Sequence, residues 1–139
     1  MTSHRIVNPP SLAEPRGFAH AVVAVPGRTI WLGGQTAHDA DGKLRGATLV
    51  EQFDRAAANV VEALRAAGGE VDQLVSMQLF VTDVAEYRAA LTELGDVWRR
   101  WFGRRYPALA LFEVSGLFDP AALVEIVAVA VVPDTRETA

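Results

Sequence analysis

Leu123-Val124-Glu125-Ile126-Val127-Ala128-Val129-Ala130-Val131-Val132 is the longest apolar run of the chain, ten residues with one charge inside it. A membrane helix needs about 20 apolar residues, so the run is too short to span a bilayer. Its valines and isoleucine favour a strand. Both alternating sets of side chains are apolar, so both faces of the sheet it enters must be kept from water. Helices can cover one face. The second predicts contact with another copy of the chain, with the number of subunits left open.

Working outward, residues 106–114 read as a second strand, joined to the first through a turn at 116–120. Before it, Tyr87, Leu91, Leu94, Trp98, Trp101 and Phe102 recur at three-and-four spacing, opened by Asp83 with Glu86 and closed by Gly103. This pattern predicts a one-faced helix whose aromatic stripe is core packing. Val75, Met77, Leu79 and Val81 alternate with Ser76, Gln78, Phe80 and Thr82, as in a strand. Thr48 with Glu51 has the form of a capping box, and Leu49, Phe53, Ala56, Val60, Leu64 and Ala67 continue a helix to Gly68-Gly69. Residues 20–25 and 29–32 flank Pro26-Gly27 and read as a hairpin. The predicted order is β-β-α-β-α-β-β, an α+β fold with a single layer of sheet and two helices packed on one face. No repeat or linker divides the chain, which predicts one domain over residues 1–139, an ordered core over about 5–133 and loose ends.

Composition narrows the chemistry. A net charge of −4 and a pI near 5.3 give no basic field for a phosphate backbone, so nucleic acid is not an expected partner. Zero cysteines exclude a thiolate nucleophile, a disulfide framework and a cysteine metal site, and suit a reducing cytoplasm. The start of the chain has no apolar signal-peptide core, and no membrane association is expected. His4, assigned to the tail, His20 and His38 form no spaced metal pair, so no metal is expected. Ser11, Ser76 and Ser115 have no neighbouring His and Asp in sequence and no nucleophile elbow, which leaves serine hydrolase chemistry without support. Asp39 and Asp41 read as turn formers. Arg99-Arg100 and Arg104-Arg105 read as a solvated helix end.

Two features could carry a site. Glu125 is the one charge in an apolar strand, where burial would raise its pKa and suit it to general acid or base work on a water. Alternatively it is a structural carboxylate accepting backbone amides or a cation across an interface. Gly33-Gly34 at a strand end offers bare amides to a ligand carbonyl, or is simply a bulge or tight turn.

Together these residues resemble the Rid (reactive intermediate deaminase, YjgF-like) family, from Pro15-Arg16-Gly17-Phe18 to Val132. The most specific stretch is Pro107-Ala108-Leu109-Ala110-Leu111-Phe112-Glu113-Val114-Ser115-Gly116-Leu117 with Val124-Glu125-Ile126, which is similar to the family's Pro-Ala-Arg strand and apolar-Glu-Ile ending. Gly34-Gln35, Gln52, Asn59, Ala66-Ala67-Gly68 and Phe80-Val81-Thr82-Asp83 add separate matches in the same order. The resemblance implies a chorismate-mutase-like fold, a homotrimer with sheets facing inward, a small-molecule cleft at each subunit interface and no cofactor. It also implies that Glu125 positions a water, while an arginine grips the carboxylate of a 2-imino acid.

That arginine position is Leu109 here, Phe18 stands for the usual Tyr, and Gly95 for an Asn. Each change removes a polar group, so a 2-imino acid should not bind in the usual pose. Arg16 is either a solvated loop residue or a cation reaching the cleft from a new direction. Two expectations follow. One is hydrolysis of an enamine, imine or related small compound through Glu125, with Phe18, Gly33, Gly34, Gly95 and Leu109 lining the substrate site. The other is a non-catalytic trimer that binds a small apolar metabolite.

Overall fold

The computed structural model describes residues 3–134, so the loose ends expected at residues 1–2 and 135–139 lie outside the described residues. The apolar run forms β6 (Val124–Pro133). Its Val124, Ile126, Ala128 and Ala130 are at most 1% exposed, while Glu125, Val127 and Val129 alternate with them and are half-buried. The buried set faces helices, and the other set lies on an open face.

β6 is central in a four-stranded sheet of order β3-β6-β4-β5. β3 (Gly27–Trp31) and β4 (Leu74–Val81) flank it antiparallel, and β5 (Ala108–Glu113) runs parallel to β4. A parallel pair needs a crossover, which the helical segment between β4 and β5 supplies.

α1 (Leu49–Ala66) begins with the capping box read from the sequence: the Thr48 hydroxyl accepts the Glu51 N–H, and the Glu51 carboxylate accepts the Thr48 N–H. Its buried Phe53, Val60 and Leu64 form the core with Met77, Leu79 and Ile126 of the sheet. The second helical region divides into α2 (Val84–Ala89) and α3 (Leu91–Phe102), where one continuous helix was expected. The break falls at Ala90, with φ −109° and ψ 18°. No glycine or proline marks it, and the three-and-four spacing of apolar residues runs straight through.

The expected hairpin about Pro26-Gly27 does not form. β2 (Ala21–Val23) instead pairs with β1 (Arg5–Val7), a strand the sequence reading did not contain, while β3 pairs with β6. The turn carries the chain from one sheet to the other. A Cβ at Gly27 would lie 2.1 Å from the Val132 carbonyl oxygen, so only glycine lets β3 begin this close to β6. Pairing with the ten-residue β6 satisfies more backbone than a three-residue β2 could. His4 is likewise not a tail residue. It is 6% exposed, with Nε2 2.7 Å from the Val131 carbonyl and Nδ1 accepting the Val25 N–H, so it ties the small sheet to the large one.

Candidate functional site

Leu109 sits opposite Met77 in the β4–β5 register, on the side of the sheet that carries the helices. There it lines a 220 Å³ cleft with Tyr87, Leu94, Gly95 and Trp98 from the helices and Tyr106 from the loop before β5. Trp98 stacks on Tyr106 with ring centroids 4.9 Å apart, and its indole N–H donates to the Arg105 carbonyl. The stripe read as core packing is therefore also a cleft wall. Burial, with the neighbouring Tyr106 second, raises the pKa of the Tyr87 phenol and keeps it neutral.

Arg16 and Gly17 form the cleft's rim. They are placed by Ala19, whose N–H donates to the Pro107 carbonyl and which bridges to Ala108. Phe18 is next to the rim but turned aside, its ring edge-to-face with His20 at 5.0 Å. The sequence left Arg16 either as a solvated loop residue or as a cation reaching the cleft, and the structure puts it in the cleft lining. Its place at the cleft follows from a backbone bond to residue 107, which no local pattern reveals.

The other expected residues gather elsewhere. Gln35 exchanges two backbone hydrogen bonds with Ile126, at 2.8 and 2.9 Å, and this lays Gly34 directly against Glu125. A Cβ on Gly34 would lie 1.9 Å from Glu125 Oε2. Gly33 has open space around it and is exposed. Glu125 lies opposite Phe80 in register, on the open face, and has no ion pair among the described residues.

Leu109 and Gly95 thus share one cleft, Gly34 and Glu125 share another locus, and the sheet separates the two within one chain. The open face around Glu125 is mostly apolar, with Ser76 and Gln78 as its polar members on β4. Phe80 and Phe112 stack there at 5.5 Å, Val127 and Val129 are half-buried, and Trp31 is 77% exposed. Among the described residues no three His, Asp or Glu side chains gather as a metal site.

Two residues matched by resemblance prove to be loop anchors on α1. Buried Gln52 donates to the Gly46 and Ala121 carbonyls and accepts the Leu123 N–H, fixing the chain just before Glu125. Asn59 donates to the Thr36 and His38 carbonyls.

A sheet with helices on one face, a cleft beneath the second helical region and a glutamate on the opposite face define a small α+β protein of the Rid type. The chain belongs to the Rid (YjgF-like) family: the family profile described as Endoribonuclease L-PSP matches residues 11–132. A 2-iminobutanoate/2-iminopropanoate deaminase of Capra hircus is 33% identical over 105 residues, 75% of this chain and 73% of that protein. The RutC family protein UK114 of Drosophila melanogaster is 30% identical over 128 residues, 91% of this chain and 88% of its own. The crystal structure of the Rid protein YyfB from Yersinia pestis superimposes with a TM-score of 0.84 at 32% identity, covering 93% of this chain and 98% of that one.

Proposed function

We propose that this chain is a divergent Rid protein whose apolar cleft takes a small, largely uncharged molecule, and which works as a homotrimer with Glu125 directing water to an enamine, imine or related carbon. The observation that carries the reading is Leu109. It lies among Tyr87, Leu94, Gly95 and Trp98, where the family resemblance implies an arginine. A leucine offers no charge-assisted hydrogen bond, each of which is worth about 1.5–3 kcal/mol. Reaction on a 2-imino acid in the usual pose should therefore be poor.

The open apolar face supports self-association, because a monomer rarely leaves a large contiguous apolar patch wet. Opposed placement of Leu109 and Glu125 supports a site that draws them from different copies. The same placement favours a second reading, a non-catalytic trimer that binds a small apolar metabolite in the cleft. The acidic charge supports the absence of a nucleic-acid partner, zero cysteines support a reducing cytoplasmic setting, and the absence of a cofactor rests on the family resemblance.

The test is ammonia release from freshly generated 2-iminobutyrate and from a neutral enamine or imine, with the protein and its Glu125→Gln variant. Release from the neutral compound that is faster than from the acid and lost in E125Q supports the hydrolase. A saturable rise in melting temperature with apolar ligands but no release supports the binder. Rapid 2-iminobutyrate turnover that survives E125Q refutes both readings.

A further inference from the structure

A second cleft, of 580 Å³, lies between α1 and the loop after β3, away from Leu109 and meeting the Glu125 locus only at Gly34. Thr36, His38, Arg55, Asn59 and Glu62 line it. Asn59 Nδ2 is 2.9 Å from the Thr36 carbonyl oxygen and 2.8 Å from that of His38, which fixes the backbone carrying both residues.

The His38 ring is engaged at both nitrogens. Its Nε2 lies 3.0 Å from Asp119 Oδ2, and its Nδ1 is hydrogen-bonded to Thr36 Oγ1. Asp119 is itself held, because its Oδ1 accepts the Ala121 N–H at 2.9 Å. A carboxylate on Nε2 favours the tautomer protonated there, which leaves the Nδ1 lone pair to accept the Thr36 hydroxyl proton. Hydroxyl, imidazole and carboxylate in series are the arrangement that activates an oxygen nucleophile. His38 and Asp119 side chains are 30% and 31% exposed, so solvent and small molecules reach them. Arg55 also lines this cleft, and its Nε is buried without a hydrogen-bond partner, a donor left to be satisfied there.

We propose that Thr36, His38 and Asp119 form a second reactive site, independent of Glu125, that hydrolyses small carboxylic esters. Thr36 Oγ1 attacks the ester carbonyl carbon as its proton passes to His38 Nδ1, and Asp119 steadies the imidazolium. The tetrahedral adduct carries its negative charge on the former carbonyl oxygen, toward the Arg55 N–H. It collapses by breaking the bond to the alcohol oxygen, which leaves with the proton from His38. Water then attacks the acyl-threonine with His38 again taking a proton, and cleavage of the ester to Thr36 releases the carboxylic acid and restores the hydroxyl.

The experiment uses 4-nitrophenyl acetate with the full-length protein and three variants, T36V, H38Q and D119N, each checked for native circular dichroism. Nitrophenol release above buffer is expected, falling about 100-fold in T36V and H38Q, the scale of a lost general base, and less in D119N. Tandem mass spectrometry of the acid-quenched wild-type reaction should find acetyl on Thr36, a readout that needs no variant to fold. No release by the wild type, release at the wild-type rate from T36V, or acetyl on another residue alone would each overturn the proposal.

Discussion

Gly34 and Glu125 are packed so tightly that a single methyl group at position 34 would lie 1.9 Å from Glu125 Oε2. The contact joins the end of the β3 segment to the second residue of β6, and the Gln35–Ile126 backbone pair on its flank holds the two segments in place. A Cβ at Gly34 must therefore displace the carboxylate, the flexible partner, and leave the strands where they are. In G34A, the Glu125 carboxylate should turn away in a crystal structure of the variant, and any Glu125-dependent ammonia release should fall at least tenfold, about 1.4 kcal/mol in barrier. Unchanged turnover with a displaced carboxylate would separate Glu125 position from activity.

Trp31 marks the open face of the sheet. It is 77% exposed, pairs in register with Val129, and extends the apolar surface that includes Phe80 and Phe112. Since the side chain contributes little to the fold of one chain, Trp31→Glu should leave circular dichroism unchanged but shift the protein to smaller species in sedimentation equilibrium. If wild-type protein sediments as a monomer, or W31E keeps its assembly, self-association does not use this face.

The features legible in the sequence were those with local causes. Thr48 and Glu51 announce α1 because both partners of the capping box lie within one turn, and β6 shows itself by ten residues of composition. Pro26-Gly27 was misleading because a turn dipeptide specifies a change of direction and not the strand that receives it; the choice of β6 over β2 is a long-range pairing. The same limit hid the division of the site. Whether Leu109 and Glu125 share a face depends on the register of β4 against both β5 and β6, which alternation within each strand does not state. His38 and Asp119 are 81 residues apart, so their pairing had no local signal at all.

Gly95 lies inside α3, where glycine costs about 0.5–1 kcal/mol relative to alanine. A Cβ there would meet only Arg99 nitrogens at 3.6 and 3.9 Å, ordinary contact distances. G95A should therefore stabilise the protein by roughly that amount in urea unfolding. Because Gly95 itself lines the cleft, ligand affinity should weaken in the same variant. A destabilised G95A would show that the cleft is tighter than its 220 Å³ suggests.

Gln52 is 2% exposed and supplies three hydrogen bonds between α1 and the loops at Gly46 and Ala121–Leu123. Its removal leaves backbone groups unpaired beside the core, a cost of about 1–3 kcal/mol for each buried group that water cannot reach. Q52A should lower the unfolding free energy measured in urea by an amount in this range and loosen the chain just ahead of Glu125, read as faster hydrogen exchange at Leu123 and Val124. A Q52A protein with wild-type stability would show that water replaces the amide.

Acid stability should be governed by three carboxyls that each hold a loop. The Lys43 N–H, and then the Arg45 guanidinium, lower the Asp39 pKa; the Ala47 and Thr48 amides lower that of Glu51; the Ala121 N–H, and then His38, lower that of Asp119. A carboxyl whose folded pKa lies below its unfolded value contributes stability above the unfolded value. That contribution is lost as pH falls through the folded value, because the unfolded chain binds the proton more readily. The urea midpoint should accordingly hold from neutral pH down to the ordinary carboxylate range and decline below it. Replacing all three as D39N, E51Q and D119N should lower the midpoint at neutral pH and flatten the acid decline. A triple variant with the wild-type slope would assign acid sensitivity to other groups.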